Sequence, residues 1–302
     1  MGRISALLLL SLLTLTLLAG CFGLDRSPRS VRVSDSTASG DVPESTVGAS
    51  PIDKDLVGTA DVSAHATFVE KAEESGGSGY DADTVLAVRY GVHEDYERVV
   101  IDLGTGERPA GTVPEWTLTS SADDGLLRVD LPSAMTTRVS GGRFGEGLLG
   151  SFHVVRAPDG GMFVDFITRQ PVRYRVLQMQ DPARLVVDFE PAGENLDESL
   201  PAQGGNTVLV EPRPNSIVSD PLTVSGYSRN PEAANTITLT DPRGEVLVRR
   251  NVRSNDWSHT WGYFEATLDL PPFSGKGTLK VGTGNVRDGT FEGVEIPIRA
   301  GR

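Results

Sequence analysis

Apolar and polar residues alternate along much of this chain beyond residue 84. Arg98-Val99-Val100-Ile101-Asp102-Leu103 and Arg184-Leu185-Val186-Val187-Asp188-Phe189 share one order: an arginine, three apolar residues, an aspartate and a further apolar residue. Shorter versions stand at Arg128-Val129-Asp130-Leu131 and Phe163-Val164-Asp165-Phe166. Successive side chains of a strand point to opposite faces. Val99, Ile101 and Leu103 therefore share one face, while Arg98, Val100 and Asp102 share the other; Leu185, Val187 and Phe189 repeat the arrangement. With turns such as Ala157-Pro158-Asp159-Gly160-Gly161 between them, these segments predict an antiparallel sheet system with a buried side and a charged side. Arg and Asp on the charged side are expected to pair across strands, each pair adding a few tenths to about 1 kcal/mol.

A second series of strand signals follows Ala192–Asn206, a stretch of Gly, Pro, Glu and Asp that reads as an interdomain linker. The predicted strands are Val208–Glu211, Leu222–Ser228, Thr236–Asp241, Glu245–Val252, Trp261–Leu270, Gly277–Thr283 and Phe291–Arg299. Short strands at this spacing, with turns such as Asp241-Pro242-Arg243-Gly244, predict an immunoglobulin-like sandwich. The expected architecture is all-β: two β-sandwich domains, at 84–191 and 207–300.

The N-terminal part has a different pattern. Met1-Gly2-Arg3 carries one positive charge, and the run from Ile4 to Leu18 is apolar apart from hydroxyl residues. About fifteen residues fall short of the roughly twenty that span a bilayer. With small residues before Cys21, residues 1–20 read as a secretory leader. From Phe22 to Pro51 the chain is mainly Ser, Thr, Gly, Asp and Pro, and Glu73-Glu74-Ser75-Gly76-Gly77-Ser78-Gly79 repeats that character. Residues 21–83 are therefore expected to form a flexible tether, with a mean reach on the order of 40 Å. One short helix is expected within it, over 67–75.

Composition narrows the function classes. A formal charge of −13 argues against a nucleic-acid partner. Cys21 is the only cysteine, so no intramolecular disulfide is available and each domain must rest on its own core. His65, His93, His153 and His259 lie in unrelated segments without metal-ligand spacing. No zinc-protease pattern, nucleophile elbow or phosphate loop is present. Gly145-Glu146-Gly147-Leu148-Leu149-Gly150 fits the spacing of a dinucleotide fingerprint but lacks its strand–helix context, so it reads as a glycine-rich loop. No enzyme, cofactor or metal site is predicted.

Three resemblances add to this reading. Leu18-Ala19-Gly20-Cys21 resembles a bacterial lipobox, which implies diacylglycerol on Cys21, cleavage before it and an extracytoplasmic, membrane-anchored location. Residues 86–103, from Leu86-Ala87-Val88-Arg89-Tyr90-Gly91-Val92-His93 to Leu103, and the closing segment Tyr174–Phe189 resemble the AMIN-like domain of bacterial envelope proteins. That resemblance implies a β-sandwich that binds peptidoglycan or another wall polymer, and it assigns no binding residue. Pro212–Gly226, Trp261–Leu268, Gly275–Val281, Asp288–Thr290 and Val294–Ile298 resemble the immunoglobulin-like domain of bacterial spore-germination proteins, a non-catalytic module.

The candidate binding residues come from the sequence itself. Arg169, Arg173 and Arg175 lie close together in an acidic chain, with Arg173 and Arg175 on one strand face. They are suited either to carboxylates or phosphates of a wall polymer, or to pairing with neighbouring Asp and Glu. Trp257, Trp261 and Tyr263 cluster in and beyond the polar segment Arg253–His259. Their rings either stack on a sugar or a protein partner, or fill the sandwich core, the role that suits Trp261 and Phe264. A protein-binding scaffold without direct wall binding is the alternative function.

Overall fold

The computed structural model describes residues 45–46, 67–70, 72–121, 125–284 and 287–301. The leader, Cys21 and most of the expected tether lie outside the described residues. Among the described residues no helix is long and apolar enough to cross a membrane.

The chain is all-β. In the first sandwich one sheet has the strand order Val172–Met179, Arg184–Pro191, Glu97–Thr105, Thr84–Val92 and Thr136–Thr137, with Arg108–Pro109 on the side of Glu97–Thr105. The facing layer runs from Leu149–Arg156 through Met162–Thr168, Leu126–Leu131 and Trp116–Ser121 to Glu73–Gly76. The alternation decides what is buried between them. Val99, Ile101, Leu103, Leu185, Val187 and Phe189 are enclosed against Leu118, Val129, Val164 and Phe166.

The Arg-x-x-x-Asp segments explain the pairing on the other face. Glu97–Thr105 and Arg184–Pro191 run antiparallel with Arg98 opposite Asp188 and Asp102 opposite Arg184. Two copies of the motif thus complement each other head to tail. Arg128 stands opposite Asp165 by the same logic in the second layer. These pairs are less exposed than the sequence suggests, because Asp165 and Asp188 are fully buried.

The second sandwich contains all seven strands expected there. Thr207–Glu211, Leu222–Ser228 and Trp261–Leu268 form one layer with Ala202–Gly204. Ala234–Thr240, Val246–Arg253, Lys276–Gly284 and Phe291–Ala300 form the other, with Ile217–Val218. Leu209, Val224, Phe264, Ile237, Leu239, Leu279, Val281 and Ile296 fill the core.

Two expectations near the domain borders are corrected. Glu73–Gly76 is an edge strand antiparallel to Trp116–Ser121, and Val69 bridges to Tyr174, so both are strand-paired into the first sandwich where a tether with a short helix was expected. The polar composition that reads as tether or helix also suits an edge strand whose outward side meets water. Within 192–206, Leu200 packs between the sandwiches and Ala202–Gly204 pairs with Thr207–Glu211, so this stretch is built into the fold.

The two sandwiches share a sheet. Leu149–Arg156 pairs in parallel with Trp261–Leu268 through Val155 opposite Trp261 and Arg156 opposite Gly262, which merges the layers into eleven strands. Close approach at Gly262 requires glycine: a Cβ there would lie 2.1 Å from the Asp256 carbonyl oxygen. Phe163 and Tyr227 have ring centroids 6.3 Å apart although two strands separate theirs in the sheet order. With strands roughly 4.8 Å apart, the sheet must curl at the junction to bring them together.

Candidate functional site

The register of the first sandwich creates a cation–aromatic cluster on its outer face. Asp188 lies on the strand between Arg98 and Arg175 and directly opposite both. Arg98 donates from Nε and Nη2 to the two carboxylate oxygens at 2.6 and 2.8 Å, and Arg175 Nε donates to Oδ2 at 2.7 Å. Aromatic side chains cover this triad. The Arg175 guanidinium lies 4.5 Å from the Phe68 ring centre and 5.1 Å from that of Tyr96, and Arg98 lies 5.3 Å from the Tyr96 ring centre.

The turn after Thr84–Val92 adds the last member. Its backbone closes through His93 N–H donating to Tyr96 O at 2.8 Å, and the two rings stack at 4.4 Å. His93 is held below the ordinary imidazole value, first by desolvation and then by the charge of Arg98. Two guanidiniums on one carboxylate leave a local surplus of positive charge, tempered by exposed Glu94 and Asp95 in the same turn. The exposed His93 ring and half-buried Tyr96 offer a stacking surface beside it. Such a surface suits a sugar ring, with the neighbouring guanidinium donors available to its oxygens.

The structure distributes the three expected arginines among different tasks. Arg175 belongs to the Asp188 cluster. Arg173 projects from the same face and pairs with Glu190 at 2.7 Å. Arg169 Nη1 donates to the carbonyls of Gly147 and Leu149 at 2.9 and 2.6 Å, fixing the glycine-rich loop. Their charge is therefore engaged internally, and no separate open patch forms from all three. The sequence did not single out Phe68, Tyr96 or Asp188 as site residues. The duplicated motif was the available signal for Asp188, whereas Phe68 lay in what reads as tether.

The glycine-rich loop joins the antiparallel strands Gly141–Arg143 and Leu149–Arg156. It leads into a strand rather than a helix, and the Glu97 carboxylate accepts the N–H groups of Leu148 and Leu149 at 2.7 and 3.1 Å. A carboxylate thus occupies the loop amides. The loop is a structural hairpin.

Trp261 stands in the junction between the sandwiches rather than in the core of its own domain. It packs with Val155, Phe163, Val208 and Tyr227, and it meets His153 edge-on at 4.8 Å. His153 Nδ1 lies 3.4 Å from the Tyr227 hydroxyl. Burial, and secondarily the charge of Arg143, pushes His153 down to about 3, and burial pushes Tyr227 well above its ordinary value. His153, Tyr227 and Asp165 have almost no exposed surface, so this set cannot receive a substrate from solvent. It is a buried polar knot.

Trp257 is placed differently. Asp256 Oδ1 accepts the N–H groups of Trp257, Ser258 and His259 at 2.7, 3.1 and 3.2 Å. Burial works against the Asp256 charge, but these donors and Arg156 outweigh it and hold the carboxyl below its usual range. The loop is also fastened to the first sandwich: Asn255 Nδ2 donates to the carbonyls of Arg156 and Ala157 at 3.1 and 2.9 Å. Trp257 is left 42 % exposed on this fixed base. Among the described residues no group of three His, Cys, Asp or Glu side chains is arranged to hold a metal ion.

The junction loop and both tryptophans thus belong to the second sandwich. Residues 207–290 match the immunoglobulin-like domain of bacterial spore germination. No curated protein and no solved structure matches the chain. The germination-type domain thus contributes Trp257 and Trp261, and its Trp261–Leu268 strand continues the sheet of the preceding sandwich.

Proposed function

We propose that this chain is a non-catalytic envelope lipoprotein, anchored through acylated Cys21, whose first sandwich binds a wall glycan and whose germination-type domain presents an interaction surface. The match over residues 207–290 is the observation that carries the reading. It supports a germination-related interaction module, of a family that is typically non-catalytic. Wall binding draws on the AMIN-like resemblance of the first sandwich and on the Arg98–Asp188–Arg175 cluster with its aromatic cover. Peptidoglycan supplies sugar rings and carboxylates, the two groups this cluster is equipped to meet. Anchoring would raise the effective concentration of a weak binder at the wall.

Protein-free sacculi are expected to retain the purified chain, and Tyr96→Ala with His93→Ala to reduce retention roughly thirtyfold, since stacking is worth about 1 kcal/mol per contact. Failure of sacculi to retain the folded chain would instead favour a scaffold that binds only proteins. Separately, labelling cells with an alkynyl fatty acid is expected to mark the mature chain and to leave Cys21→Ser unmarked. Equal labelling of both would remove the anchor from this reading.

A further inference from the structure

The outward side of the five-stranded sheet in the germination-type domain is cationic although the chain as a whole carries −13. Register places its residues. Ile237 and Leu239 face the core, so Thr236 and Thr238 face outward, opposite Asn251 and Arg249. The same pairing carries the outward side to Lys280, which opposes Thr238, and on to Glu295, which opposes Lys280. Lys276 and Arg299 face each other at one end of the sheet, and Arg253 lies at the far end of the edge strand.

Five cations therefore share this side with one carboxylate, Glu295, which binds Lys280 at 2.8 Å. Among the described residues Arg249, Arg253, Lys276 and Arg299 make no ion pair. Like charges directly opposite one another destabilise a sheet, so the Lys276–Arg299 pair is not explained by folding. The bordering turn Asp241–Glu245 brings Arg243 with two carboxylates and only partly offsets the surplus.

Apolar side chains punctuate the same side. Ile217 opposes Arg299, Val246 opposes Thr240, and Phe291 begins the strand that carries Arg299. They are 77, 51 and 44 % exposed. Separated apolar side chains set among cations fit a boundary where anionic headgroups lie over acyl chains. A soluble polyanion would use the cations but not the apolar side chains.

We propose that this face docks on an anionic phospholipid surface. The inference does not depend on wall binding by the first sandwich. Its test uses the chain from residue 22 onward, which keeps every described residue and carries no acyl group. Vesicles of phosphatidylglycerol and phosphatidylcholine are expected to bind it, and vesicles of phosphatidylcholine alone to leave it in solution. Binding should be lost in 0.5 M NaCl, where the Debye length shrinks to roughly 4 Å. Replacing Arg249, Lys276 and Arg299 together by Gln is expected to lower partitioning on the order of 100-fold, at about fivefold per basic residue. The side chains replaced are exposed, and an unchanged melting curve shows that the fold survives. Arg108→Gln, in the first sandwich, should partition as the parent does. Equal binding to both vesicle types, binding to neither, or full retention by the triple variant would overturn the proposal. So would capture by a soluble glycerol-phosphate polymer without any binding to vesicles.

Discussion

Asp188→Ala is expected to destabilise the folded chain by about 3 kcal/mol, because it leaves two guanidiniums facing an empty, sealed position. The carboxylate is fully buried while Arg98 and Arg175 are about one-quarter exposed, so solvent rescues the arginines only in part. For a folded unit of this size the melting midpoint should fall by on the order of 6–10 °C. Calorimetry of the parent and the variant measures it. Replacing Arg98, Asp188 and Arg175 together by apolar residues of similar volume should restore most of the loss, since no charge then remains unpaired. The restored variant would also lose the guanidiniums proposed to meet the wall glycan, separating stability from sacculus retention. A midpoint within 1 °C of the parent for Asp188→Ala would refute the assignment.

The second large effect belongs to the junction. Trp261→Ala removes a ring that is 6 % exposed and shared by both sandwiches, at a cost of about 3–5 kcal/mol. Because the ring stands between the cores, the loss should also divide one unfolding transition into two, visible as separate peaks in scanning calorimetry. A single sharp peak at the parent midpoint would show that Trp261 does not couple the domains. The junction should also be acid-sensitive. Burial lowers His153 from 6.5 to about 3, so the unfolded chain takes up a proton before the folded one does. The corresponding stability is present above about pH 6.5 and is lost as pH falls towards 3. His153→Gln should flatten that part of the stability profile relative to the parent.

Strand alternation made much of each sandwich legible. Val99, Ile101 and Leu103 declare one face by periodicity alone, and the seven segments beyond residue 207 stand where turns and β-branched residues place them. The border segments were harder to read. Glu73–Gly76 has the composition of a tether, but its backbone finds the unpaired edge of Trp116–Ser121, which a local pattern cannot reveal. Trp261 was legible as buried, yet its partners His153 and Phe163 come from the other domain, over a hundred residues and nearly a hundred residues earlier in sequence. The candidate site was legible in part for the same reason. Arg98 and Asp188 belong to a visible duplication, whereas Phe68 reaches them only through the Val69–Tyr174 bridge.

That duplication also decides something the greasy stripe leaves open. Sliding one central strand past its neighbour by two residues would keep every apolar side chain on its proper face, so hydrophobicity alone tolerates the error. The charges do not tolerate it. In one direction Asp188 would come to rest against Val100 and in the other against Tyr96, and either slip would break its two-pronged contact with Arg98. The coarse alignment thus comes from oil and the fine adjustment from ion pairing, like the main scale and vernier of a gauge.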